Sequence, residues 1–172
     1  MEDSPFRTEV PKSIYFEVRI DNFGKGESSL ALGFCAVPYP TWRMPGWQRG
    51  SLAVHSDDGR RYVNDADGGL DFTEPIRPGE TVGLGITYSM PDAPASFAQA
   101  SIETNPLKGE VFFTRNGKKS GTWNIQEEFD ATNEFGNVGI DGRHDLYGAI
   151  GTFGEVSFEA FFKPRDWLWR PN

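Results

Sequence analysis

The stretch Glu110-Val111-Phe112-Phe113-Thr114-Arg115-Asn116-Gly117-Lys118-Lys119-Ser120-Gly121-Thr122-Trp123-Asn124-Ile125 decides the fold class. Its opening is rich in β-branched and aromatic side chains, which suit a pleated, half-buried surface. Asn116-Gly117 then supplies two residues that tolerate positive φ, as the tight turn between twisted antiparallel strands requires. A strand over Glu110 to Arg115, a two-residue turn and a return strand over Lys118 to Ile125 follow. Outward from this hairpin the same period of two recurs. Val82, Leu84 and Ile86 alternate with Gly83 and Gly85 in Thr81 to Tyr88, where paired glycines point to close approach or bending. Ile14, Phe16, Val18 and Ile20 alternate with Tyr15, Glu17 and Arg19, which predicts one buried face and one wet face. Leu30, Leu32 and Phe34 alternate with Ala31, Gly33 and Cys35, so the second face there is small and can receive something larger. Ser51 to Ser56 and Arg60 to Val63 flank the turn residues Asp57-Asp58-Gly59. Leu146 to Gly151 and Val156 to Phe162 complete the set. No segment sustains a 3.6-residue period; a short turn of helix at Ile125 to Asp130 is the most that the pattern allows. The expectation is an all-β chain, an antiparallel β-sandwich of two sheets with long rim loops.

Bulk composition narrows the functional classes. At 172 residues the chain suits one core. The divisions expected are an N-terminal arm at 1–13, the sandwich at 14–162 and a tail at 163–172 that holds Trp167 and Trp169. Ser89 to Lys108 reads as a surface insertion, and Gln126 to Asp145 is an acidic, glycine-containing segment. A net charge of -8 disfavours nucleic acid and anionic lipid as partners, because both demand clustered cations. One cysteine, Cys35, allows no intrachain disulfide and fits a reducing compartment. No apolar run approaches the length of a membrane span, and Met1 to Thr8 lacks the regions of a signal peptide. These features predict a cytoplasmic monomer without direct membrane insertion.

The most chemically loaded segment is Cys35 to Ser51. Pro38, Pro40 and Pro45 bar a helix or a central strand, so this is a loop of rigid course. It carries Tyr39, Trp42, Arg43 and Trp47, residue types that dominate binding energy at interfaces. Tyr39, Trp42 and Arg43 are expected to contact a partner. Trp47 is a candidate for the same role, although a ring of that size also suits a plug on the core edge.

In order along the chain, Ile14-Tyr15-Phe16-Glu17-Val18, Leu32-Gly33-Phe34, Met44-Pro45-Gly46-Trp47, His55-Ser56-Asp57-Asp58-Gly59, Thr81-Val82-Gly83-Leu84-Gly85, Val111 to Gly117 and Leu146-Tyr147-Gly148-Ala149-Ile150-Gly151 together resemble a SPRY domain. The likeness runs from about Ile14 to Phe162. It is closest to the Ran-binding-protein-M branch and to fungal SPRY proteins that act as ubiquitin-ligase adaptors at endosome and vacuole membranes. The resemblance implies a bent β-sandwich without enzymatic activity or cofactor, whose loops bind a peptide or protein surface. It also implies ubiquitin-ligase machinery as a partner of regions outside this segment, and a tether there as the route to the cytosolic face of those membranes. The family's peptide pocket uses three positions. Tyr62 matches the aromatic after the Asp-Gly turn, and Phe153-Gly154 matches the aromatic-glycine step. For the arginine before the first strand, Arg7 is the one candidate.

Competing chemistries are weaker. Asp65, Asp67, Gly68, Asp71 and Glu74 imitate a calcium loop, but Val63 stands where its first carboxylate belongs and no metal is expected. Glu155 and Glu159 share one strand face, as a glycosidase pair would, yet polar residues on a wet face are the default. His55 and His144 lie far apart and accompany no nucleophile motif. Exposed tryptophans also stack on sugars, which keeps a carbohydrate-binding sandwich as the alternative reading.

Overall fold

The computed structural model describes residues 11–65, 67–89, 108–127 and 138–171. Within them lie β1 (Lys12–Phe23), β2 (Ser29–Ala36), β3 (Ser51–His55), β4 (Arg61–Val63), β5 (Thr81–Ser89), β6 (Lys108–Arg115), β7 (Lys118–Asn124), β8 (Leu146–Phe153) and β9 (Val156–Phe161). They form two antiparallel sheets, one of order β7-β6-β5-β1-β9 and one of order β4-β3-β2-β8. The Asn116-Gly117 hairpin forms as expected, with φ of 50° and 76° at its two tip residues. Arm residues 1–10, including Arg7, most of the Ser89 to Lys108 segment and the middle of Gln126 to Asp145 lie outside the described residues. No helix among the described residues is long and apolar enough to cross a membrane.

The alternating residues meet between the sheets. Phe16, Val18, Ile20, Val82, Leu84 and Ile86 come from one side, and Leu30, Leu32, Phe34, Leu52 and Val54 from the other, all in a single buried cluster. Each such side chain contributes about 1.5–3 kcal/mol by leaving water. Trp123, from the far side of the Asn-Gly hairpin, closes the core at one end.

The outer faces depart from expectation. Tyr15 and Glu17 are not wet: both are buried, and only Arg19 of that set is exposed. What covers them comes from the opposite end of the chain. After a short 3-10 turn at Pro164–Asp166, the Trp167 ring stands edge-on to Tyr15 at 4.7 Å, and the Trp169 ring lies 4.9 Å from Tyr15 and 5.2 Å from Phe112. Glu17, 1% exposed, fastens this strap by accepting the backbone N–H groups of Leu168 at 2.6 Å and Trp169 at 2.7 Å, together with the Tyr15 hydroxyl at 2.8 Å. Gly83 and Gly85 explain why the rings can lie flat on the sheet. A Cβ at either position would run into the Tyr15 or the Phe112 ring.

Candidate functional site

The other outer face, on β2 and β3, is covered by the proline-rich loop. Ala31 and Ala53 are small enough for Met44 and Trp47 to settle on them, and Pro45 lies where a side chain at Gly151 would otherwise be. The loop is held from beneath by polar contacts. The His55 Nε2–H donates to the Pro45 carbonyl at 2.9 Å, and the Tyr39 hydroxyl donates to the Met44 carbonyl at 2.7 Å. Ser51 Oγ accepts the Gly46 N–H at 2.9 Å and donates to the Gln48 carbonyl at 2.6 Å. Asn64 Oδ1 accepts the N–H groups of Gly50 and Ser51. Such a net fixes the backbone and leaves the remaining side chains to face outward. Trp42 is 82% exposed, and Arg43 beside it is also exposed.

Next to this loop is an open cavity of about 460 Å³. Met44, Trp47 and His55 form one wall, and Phe153, 58% exposed at the end of β8, stands at another. The turn between β1 and β2 contributes Glu27 and Ser28, and the turn after β3 contributes Asp57. Gly154 shapes that corner: its φ is +70°, and a Cβ there would strike the Glu27 carbonyl and sit 2.6 Å from Ser28 Oγ. Of the residues singled out in the sequence, Trp47 and Phe153 therefore line the cavity and Gly154 sets its edge. Tyr39, Trp42 and Arg43 belong to the adjoining loop.

Tyr62 takes a different position. It is 8% exposed, its ring lies 4.2 Å from that of His55, and its hydroxyl donates to Asp58 Oδ2 at 2.6 Å. Burial, with the Asp58 carboxylate at its oxygen, holds the phenol well above its ordinary range. Tyr62 thus supports the wall from below, whereas Glu27, Met44, His55 and Asp57 line the cavity without having been singled out as contacts. His55 and Asp57 stood within the quoted His-Ser-Asp-Asp-Gly motif. Glu27 carried no signal, because an acid in a polar turn is ordinary.

His55 yields a test of this wall. Burial depresses its pKa below the ordinary value, against smaller opposing effects from the Pro45 carbonyl, Asp57 and Asp58. The unfolded chain consequently takes up the proton first as pH falls through about 6.5. The stabilisation is fully present above that range and is lost below it. Thermal melts of wild type and His55→Gln at several pH values should show a steeper loss of Tm on acidification in wild type. Parallel curves would place His55 outside the buried wall.

A SPRY domain family model matches residues 13–93. A crystal structure of a human SPRY domain superposes with a TM-score of 0.56, at 26% identity, over 87% of this chain and 76% of that one. The chain belongs to the SPRY domain family. Curated relatives of this SPRY domain include protein ssh4 of Neosartorya fischeri, 31% identical over 158 residues, and protein ssh4 of Aspergillus clavatus, 30% identical over the same length. Each alignment spans 90% of this chain. A dual specificity protein kinase of Dictyostelium discoideum, splA, is 30% identical over 63% of the chain and 4% of its own length. The chain spans only about a quarter of the length of the fungal relatives, 27% and 26% in the two cases.

Proposed function

We propose that this SPRY domain is a non-catalytic recognition module that seats a short linear peptide in the cavity beside the proline-rich loop. SPRY domains are generally protein-interaction modules. The observation that carries the peptide reading is the cavity itself, walled by Trp47, Met44 and Phe153, with Trp42 exposed on the loop that supplies Met44 and Trp47. An apolar wall with polar groups at its edge is the usual make-up of a ligand site, and a loop already fixed by hydrogen bonds loses little entropy when it binds. Tyr62 and Gly154 act as positioning residues in this arrangement. Of the carboxylates weighed as a hydrolytic pair, Glu159 is held in an ion pair with Arg19 at 2.8 Å. Presentation of the captured protein to ubiquitin-ligation machinery is the further part of the proposal. It rests on the likeness to fungal adaptors and on ssh4 proteins being among the relatives.

The test begins with a random peptide library displayed on phage and selected on the whole chain. Selected peptides are then titrated by calorimetry against wild type, Trp42→Ala and Phe153→Ala. Each substitution should weaken binding at least tenfold, or about 1.4 kcal/mol. Both rings are exposed, so Tm should change little. Affinities equal to wild type for both variants would remove the rings from the site and the cavity from the function.

A further inference from the structure

The cavity also shows which side chain it would accept, an inference that rests on the peptide reading above. Among the described residues, its charged lining residues are Glu27 and Asp57, and no lysine or arginine lines it. Both acids are exposed. Among the described residues, neither carboxylate is engaged in an ion pair or a hydrogen bond, in contrast to Asp58 and Asp71 of the neighbouring hollow. There Asp58 accepts the Tyr62 hydroxyl and the Arg60 N–H, and Asp71 pairs with the Arg60 guanidinium at 3.0 Å. The carboxylates of Asp58 and Asp71 are thus engaged within the fold, whereas those of Glu27 and Asp57 are left to meet a ligand. His55 does not offset the charge, since burial keeps its imidazole neutral near pH 7.

The remaining wall fits the same occupant. Met44, Trp47 and Phe153 offer apolar and aromatic surface in the same cavity as the two acids. The aliphatic stem of a long cationic side chain packs well on such a surface, with its charged head near carboxylates and ring faces. The net charge of -8 favours approach of a basic segment at long range.

We infer that the cavity selects a linear segment of another protein carrying a lysine or arginine, with that side chain running along Trp47 and Phe153 to Glu27 and Asp57. The peptides selected on the whole chain should carry a basic residue at one fixed position. Replacing that residue with glutamine should weaken binding at least tenfold, and so should the double variant Glu27→Gln/Asp57→Asn. The two changes combined should cost much less than their product, because both remove the same contact. Raising the salt concentration should weaken wild type more than the double variant. The inference is overturned, with the peptide pocket intact, if selected peptides lose affinity with Phe153→Ala but have no basic position or bind the double variant as well as wild type. If no peptide is enriched, or if Phe153→Ala and Trp42→Ala bind as wild type does, the pocket and its selectivity fall together. Unchanged melting curves for the acid variants separate these outcomes from unfolding.

Discussion

Glu17→Ala should lower the free energy of unfolding by about 3 kcal/mol or more, since hydrogen bonds to a charged group are worth roughly 1.5–3 kcal/mol each and buried partners would be left unsatisfied. The carboxylate accepts from Leu168, Trp169 and Tyr15 while buried within the strap and sheet. Its loss would free the backbone N–H groups of the strap, so Trp167 and Trp169 should leave Tyr15 and Phe112. Urea denaturation monitored by tryptophan emission would report both effects, as a lower midpoint and as a red shift already present before the transition. Glu17→Gln should fall between alanine and wild type, because its amide retains one accepting oxygen. A loss under 1 kcal/mol with unshifted emission would mean that the rings alone hold the strap.

A second large effect is expected at Gly46→Ala. This residue has φ of +92°, a region in which a side chain costs on the order of 1–3 kcal/mol. An added Cβ would also lie 2.7 Å from Tyr62 Cβ and 3.0 Å from its carbonyl oxygen. Overpacking of that kind adds roughly 1–3 kcal/mol, for a combined loss of about 3 kcal/mol. Its functional consequence follows from the neighbours. Gly46 joins the loop to Ser51 through its N–H and to Asp65 through its carbonyl, so displacement there moves Met44 and Trp47 with it. Peptide affinity should fall along with stability, even at temperatures where the variant remains folded. If Gly46→Ala unfolds at the wild-type denaturant midpoint, the loop is not clamped on Tyr62 and the preformed wall has no basis.

The two predictions mark what sequence reveals and what it conceals. Strand positions were legible because each strand contributes one face to a shared core, so apolar residues recur at every second position from Phe16 to Ile20 or Val82 to Ile86. The small residues of β2 were legible in the same way: Ala31 and Gly33 announced that something thick would lie there, and the proline-rich loop does. Glu17 was misjudged because period two tells which residues share a face but not whether that face meets water. Its cover arrives from residues that are 151 and 152 positions away, and only the glycines at Gly83 and Gly85 hinted at it. The cavity was half legible. Phe153 and Trp47 carry bulk that draws notice in any sequence, whereas Glu27 and Asp57 become informative only when the fold brings them around one hollow with no cation on its wall among the described residues.

The strap also changes where this unit can be cut. A fragment ending at Phe162 would keep the nine strands of the described residues yet leave Tyr15 and Phe112 as an oily stripe beside a bare acid, a surface prone to clumping. Anyone transplanting the module into another host protein should therefore carry it through Trp169, since the last strand is not the last part of the fold.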